Sequence, residues 1–194
     1  WVAAAMVVVA KEEEAQAEVA LVEEDGVPRS LRDGIAELSR RRGWRARSAP
    51  RRHHRDPVSR APLALTLGDP AGVGPELSLK AWRALRDEDL CFVVHCDPAP
   101  LMAAAQLLDL PRPELVSGPD EAQRVFSNFL PVIALEACER EAENAVRSIE
   151  AAVDAAKSGA ASAVVTNPVS KSRLYEIGFA FPGHTEFVAH LTAD

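Results

Sequence analysis

The sequence predicts an α/β fold, a mainly parallel sheet with flanking helices. Two observations carry this. From residue 61 onward, short apolar runs of strand length alternate with longer stretches of helical spacing, the pattern of a parallel sheet whose crossovers are helices. The two polar loops of greatest chemical interest, after Leu67 and after Val165, both follow such runs. They would lie at the carboxyl ends of parallel strands, where open α/β sheets bind their ligands.

Taken in order, residues 1–22 hold a candidate strand, AAAMVVVA, then a polar stretch and AEVALVEE. SLRDGIAELSRR has a cap-like start at Ser30 and helical spacing at Leu31, Ile35 and Leu38. The Pro, Arg and His cluster at 49–57 reads as a linker, with a boundary near residue 61. Residues 1–60 are therefore expected to be a leader with an Arg-rich, partly disordered linker, and 61–194 a portion of an α/β domain.

Beyond the boundary, PLALTLG is a short apolar strand, followed by a glycine loop and the helix PELSLKAWRAL. Pro75 falls in the first turn of that helix, with Glu76 near the positive end of its dipole. LCFVVHC is a second buried strand, PAPLMAAAQLLDL a second helix and LPVIAL a third strand. EREAENAVRSIEAAVDAAKSG places Ala145, Ile149, Ala152, Val153 and Ala156 at helical spacing and ends at Gly159. ASAVVTNP is a fourth strand, and SKSRLYEIGF a short helix closed by Gly178. Thr185 is a candidate N-cap for a last helix, EFVAHL.

Composition places the chain among globular proteins, with 47% hydrophobic and 26% charged residues. No apolar run has the length of a membrane span, and WVAAAMVVVA lacks the basic leader of a signal peptide. Residues 29–60 carry eleven Arg against Asp33, Glu37 and Asp56, although the whole chain stands at −7. Such a block is either a solvated linker or an arm for nucleic acid. Trp44 is its one aromatic residue and no nucleic-acid motif accompanies it, which favours the linker. Cys91, Cys96 and Cys138 have no metal-type spacing and read as free thiols in a packed core, consistent with a reducing cytoplasm. The chain opens on Trp rather than Met and closes inside a helical pattern, EFVAHLTAD, so truncation at both ends is expected.

Three stretches could carry chemistry. The first is GDPAGVGPE, with Gly68, Asp69, Gly72 and Gly74. It fits neither the dinucleotide fingerprint nor the nucleotide P-loop, which need other glycine spacings and, in the second case, a Lys. A strand, a glycine loop and a helix start nonetheless expose backbone N–H groups that stabilise an anion. Asp69 either faces a ligand or caps the turn. The second stretch is FPGHTEF, where a Pro-Gly turn projects His184 and Thr185 side by side, suited to a phosphate or carboxylate oxygen. The third is VVTNPVSKSRL, in which Thr166 and Asn167 follow a buried strand and Lys171 begins a helix. Lys171 could pair with an anionic substrate or relay a proton, or simply be solvated. His53 and His54 lie in the basic linker, His95 reads as a satisfied core histidine, and His190 as a helix-face residue.

In this order and at these separations, GDPAGVGPE, VVTNPVSKS and FPGHTEF resemble the 4-hydroxythreonine-4-phosphate dehydrogenase family of pyridoxal phosphate biosynthesis. The resemblance runs from about Pro62 to Asp194 and covers the N-terminal portion of a typical member. It implies an isocitrate/isopropylmalate dehydrogenase-like fold, truncated here at its C-terminal side. It implies NAD-dependent oxidation of 4-phosphooxy-L-threonine followed by decarboxylation, with a divalent metal (zinc, magnesium or cobalt) polarising the reacting oxygen. It also implies a cytoplasmic homodimer acting on a phosphorylated hydroxy-amino acid. His184 and Thr185 match the family's substrate-contacting pair, Gly68, Asp69, Gly72 and Gly74 its opening loop, and Lys171 the lysine of its T-x-P-x-x-K segment. The family's metal-binding histidines come later in sequence, so no metal ligand and little of the NAD site are expected in this chain, and activity of the chain alone is not expected. A sister dehydrogenase of erythronate or threonate 4-phosphate shares these motifs. A non-catalytic fragment with a basic nucleic-acid-binding arm is the alternative from another class.

Overall fold

A computed structural model describes residues 5–12, 15–23, 61–88 and 90–193. The Arg-rich segment, the helix expected from Ser30, His53 and His54 lie outside these residues. The described chain forms a seven-stranded sheet in the order β2-β1-β7-β3-β4-β6-β5. Its five central and outer strands are β3 (Leu63–Thr66), β4 (Phe92–Cys96), β5 (Glu114–Leu115), β6 (Pro131–Ala134) and β7 (Ala163–Val165). Among themselves these five pair parallel throughout. β1 (Ala5–Glu12) and β2 (Ala15–Glu23) form an antiparallel hairpin, and β1 pairs antiparallel with β7 through Val8↔Val165, Val9↔Val164 and Ala10↔Ala163.

Six helices are described: α1 (Gly74–Leu85), α2 (Ala99–Leu107), α3 (Pro119–Val125), α4 (Glu141–Lys157), α5 (Lys171–Glu176) and α6 (His184–Thr192). Side chains alternate across a strand, so the sheet feeds a core on each face. On one face Leu65, Val94 and Cys96 pack with Leu79 and Trp82 of α1 and Leu101 and Ala105 of α2. On the other, Ala64 and Val164 pack with Ile149, Ala152, Val153 and Ala156 of α4 and Phe187 and Val188 of α6. The stripe read from the α4 sequence is thus the stripe it buries. α4 runs to Lys157, and Gly159 follows it in the left-handed region at φ +81°, the conformation that glycine adopts at little cost.

Two elements were not foreseen, β5 and α3. β5 has two residues and α3 seven, too few to show a period. Their positions are set by what they touch: Val116, just after β5, and Ala122 of α3 close over Val93. Cys96 is buried and belongs to the core, while Cys91 and Cys138 are half-buried, and all three thiols are free.

His95 departs from expectation. It is in the strand and 5% exposed, but its Nε2 has no hydrogen-bond partner. Burial lowers its pKa from the ordinary 6.5 to about 4. Above 6.5 the ring is neutral in both folded and unfolded chains and contributes nothing to pH dependence. Between 6.5 and 4 the unfolded chain takes up a proton that the folded chain refuses, so stability falls as pH falls through this window. The total loss expected is about 3 kcal/mol. Chemical denaturation from pH 7 to 4 should show this slope, and His95→Leu should remove it; an unaltered slope would mean that His95 titrates normally in the fold.

Candidate active site

β3 and β7 are parallel neighbours, with Leu65 opposite Val165, so the chain leaves both strands side by side at their carboxyl ends. The polar residues there tie the two exits together. Asn167 donates its backbone N–H to Thr66 Oγ1 (3.1 Å) and its side-chain Nδ2 to Thr66 O (2.9 Å) and Ser78 Oγ (2.9 Å), with Gly74 O at 3.4 Å. Ser78 Oγ donates in turn to Gly74 O at 2.9 Å. A buried amide must find partners, and this one finds them on β3 and the first two turns of α1. On the other side Ser148 of α4, fully buried, accepts the N–H of Leu67 at 2.9 Å and donates to the carbonyl of His95. Thr166 and Asn167 are therefore interior residues, and the amide of Asn167 is spent on the scaffold.

The glycine loop is held tightly against this scaffold. Gly68 has φ +73°, and a Cβ there would stand 2.4 Å from Pro168 O. At Gly74 a Cβ would stand 1.8 Å from Leu67 O. These two glycines serve close backbone approach. The Asp69 N–H donates to Pro168 O at 2.9 Å and the Gly72 N–H to Asp69 O at 2.9 Å, while Asp69 Oδ1 accepts the Ala71 N–H at 3.1 Å, an Asx turn on a Pro-containing loop. The same oxygen accepts Arg173 Nη1 at 3.1 Å, and Arg173 Nη1 also reaches Glu141 Oε2 at 3.0 Å. Of the two readings of Asp69, the structure shows the carboxylate engaged by the turn and by an arginine.

α5 leads from this loop to the Pro-Gly-His-Thr turn. Leu174 is buried, and the Tyr175 hydroxyl donates to Pro182 O at 3.1 Å. Lys171 Cε and Nζ stand 3.6 and 3.8 Å from where a Cβ on Gly183 would be, with Glu186 Oε2 at 3.1 Å. Lys171, Glu186 and the turn thus form one cluster. Below them Phe179, Phe181 and Phe187 make a ring cluster with centroids 5.1–5.4 Å apart, and Phe181 stacks on the exposed His190 at 5.0 Å. The cap of α6 is Gly183, in extended backbone, and not Thr185; His184 and Thr185 occupy the first turn, and no side chain caps it. No hydrogen bond or ion pair among the described residues joins the glycine loop directly to His184 or Thr185; α5 is the link.

The electrostatics of the turn favour a neutral imidazole. Burial lowers the pKa of His184, Lys171 lowers it further, and Glu186 opposes both. Its Nε2 is shielded and has no partner. A neutral ring beside a helix N-terminus, where backbone N–H groups and the dipole favour negative charge, with a lysine close by, can bind an oxyanion. Among the described residues no three His, Cys, Asp or Glu side chains gather as a metal site. The glycine loop, closed on Leu67 and Pro168, does not present a dinucleotide cradle either. Neither group fits the described residues at this site.

The model of the family described as pyridoxal phosphate biosynthetic protein PdxA matches residues 88–194. The 4-hydroxythreonine-4-phosphate dehydrogenase of Methylorubrum populi is 48% identical over 144 residues, covering 68% of this chain. The chain belongs to the PdxA family. The relative of the same name from Caulobacter vibrioides is 45% identical over 141 residues. The chain spans 41% of the length of each of these relatives. A crystal structure of a 4-hydroxythreonine-4-phosphate dehydrogenase from Klebsiella pneumoniae is similar with a TM-score of 0.56 and 31% identity, over 71% of this chain and 45% of that one. One from Burkholderia phymatum gives 0.57 and 28%, over 66% and 42%. Three residues that tie these loops together escaped the sequence reading: Ser148, Arg173 and Tyr175. Each looks like an ordinary helix residue, and no local pattern pairs Arg173 with an aspartate 104 residues away.

Proposed function

We propose that this chain provides the substrate-contacting part of an NAD-dependent, metal-assisted dehydrogenase that oxidises and decarboxylates 4-phosphooxy-L-threonine in pyridoxal phosphate biosynthesis. Family membership supports the reaction class. The observation that carries the reading is the His184–Thr185 turn: a desolvated neutral imidazole and a hydroxyl in the uncapped first turn of α6, with Lys171 beside them. His184 and Thr185 hold a phosphate or carboxylate oxygen, and Lys171 supplies the matching charge. Gly68, Gly72 and Gly74 shape the loop that walls the site, with Asp69 as its latch. Divalent metal and NAD belong to the proposed reaction, their ligands coming from polypeptide outside the described residues. A cytoplasmic homodimer completes the proposal, and so does the division at residue 61 between leader and dehydrogenase domain, with β1 and β2 of the leader joined to the domain's sheet through β7. Among the described residues no helix is long and apolar enough to cross a membrane.

Binding of 4-phosphooxy-L-threonine to the chain, followed by calorimetry or by amide shifts at His184 and Thr185, tests this. Binding is expected, weakened about tenfold or more in His184→Ala through loss of one charge-assisted contact, with unchanged circular dichroism. Erythronate 4-phosphate in the same titration separates the sister substrate. NADH formation is measured with the protein expressed from its own gene, given NAD and metal. Equal binding by wild type and His184→Ala would remove His184 from the substrate site.

A further inference from the structure

α5 has six residues, too short to hold its own conformation in water. Its place is decided by what its side chains grip, and they grip in three directions. Leu174 enters the interior, Tyr175 holds Pro182 of the His-Thr turn, and Arg173 holds Asp69 of the glycine loop and Glu141 of α4. The first residue of the same helix is Lys171, which lies against Gly183. The two motif-bearing loops therefore communicate through one short rod with a ligand-side end and an anchored side.

We propose that Arg173 is a positioning residue for the His184–Thr185 site, acting through α5. Asp69 is 13% exposed at its side chain and Arg173 42%. Asp69 is thus a mostly desolvated carboxylate for which Arg173 is the one ion-pair partner among the described residues. Glu141 sits in the first turn of α4, where the helix dipole favours its charge, and fixes the guanidinium from the other side. Both carboxylates are held by Nη1, whose two N–H donors lie in the guanidinium plane and set the angle between them more rigidly than a freely rotating ammonium would. Because Arg173 is partly exposed, the pair adds little to global stability. Its effect is geometric: it fixes the rotation of α5, and with it Lys171 and Tyr175 against the turn. This inference rests on the reading of His184 and Thr185 as the substrate site.

The test uses the isotope-labelled 194-residue chain, amide exchange, and titration with 4-phosphooxy-L-threonine. In Arg173→Ala the amides of Asp69 and Ala71 should exchange about tenfold faster while those of β4 and β6 keep their rates. The amide shifts of Gly183, His184 and Thr185 should move without ligand. Half-saturation by the compound should rise about tenfold, and Arg173→Lys should restore part of each change. Asp69→Asn, which removes the other half of the pair, should shift the same turn amides and serves if Arg173→Ala does not fold. Turn shifts and exchange equal to wild type in both variants would overturn the proposal, as would full retention of affinity. If wild type fails to bind the compound, the substrate reading falls, while the exchange and shift measurements still decide whether Arg173 positions the turn.

Discussion

Gly74→Ala is expected to unfold the β3–α1 unit or to cost about 4 kcal/mol or more, at the far end of what single substitutions do. The added Cβ would stand 1.8 Å from Leu67 O and 3.0 Å from Leu67 C. Both are backbone atoms, so no rotamer change relieves the contact. The backbone itself cannot retreat easily. Leu67 N–H is fixed by Ser148, and Gly74 O accepts from Ser78 and lies near the Asn167 amide. Moving either end breaks buried hydrogen bonds, each of which is costly to leave unmade. Gly68→Ala should cost about 3 kcal/mol or more, less than Gly74→Ala, from a left-handed φ of +73° and contacts with Pro168 O at 2.4 Å and Asn167 Cβ at 2.9 Å. Urea midpoints of the two variants against wild type check the order. A Gly74→Ala protein of wild-type stability would mean that the loop does not close on Leu67.

Trp82→Ala carries the second-largest expected loss, about 3–5 kcal/mol from the emptied volume. That is a large part of the roughly 5–15 kcal/mol that keeps a domain folded. Trp82 is fully buried among Leu79, Leu101 and Phe126, and its Nε1 donates to Phe126 O at 2.7 Å. The indole also ties α1 to the segment after α3, because the Phe126 ring stands edge-on to Phe92 of β4 at 5.0 Å. Trp82→Phe separates the two contributions. It keeps most of the packing and leaves the Phe126 carbonyl without its donor, for an expected loss of about 1–3 kcal/mol. Guanidinium or urea unfolding gives both values. A loss below about 1 kcal/mol in Trp82→Ala would contradict a central role for this residue.

Most of the architecture was legible because its signals are local. Pro75 in the first turn of α1, the apolar stripe of α4, and Gly159 and Gly178 at left-handed φ just beyond α4 and α5 all follow from residues within a few positions of one another. That both polar loops leave the carboxyl ends of parallel strands was legible for the same reason: apolar runs that alternate with helices imply parallel strands. β5 and α3 were not legible, since elements of two and seven residues complete too little of a period. Thr185 was misplaced as a cap because it has the side chain for one. The chain instead enters α6 through an extended Gly183, with the turn held from outside by Tyr175 and from below by a phenylalanine cluster.

By itself, the sequence determined most of the strands and helices, the glycine stops after α4 and α5, and which three motifs mark the family. What the motifs do was decided by tertiary structure. Asn167, a site candidate in isolation, became the clasp between β3 and α1 because strand order set Thr66 beside it, 101 residues away. Asp69 was turned toward Arg173, 104 residues on, and His95 was buried without a partner for its Nε2. Propensity and turn chemistry act over one helical turn or one pleat. Hydrogen-bond partners and desolvation depend on which distant segments the sheet sets side by side, and no local pattern encodes that choice.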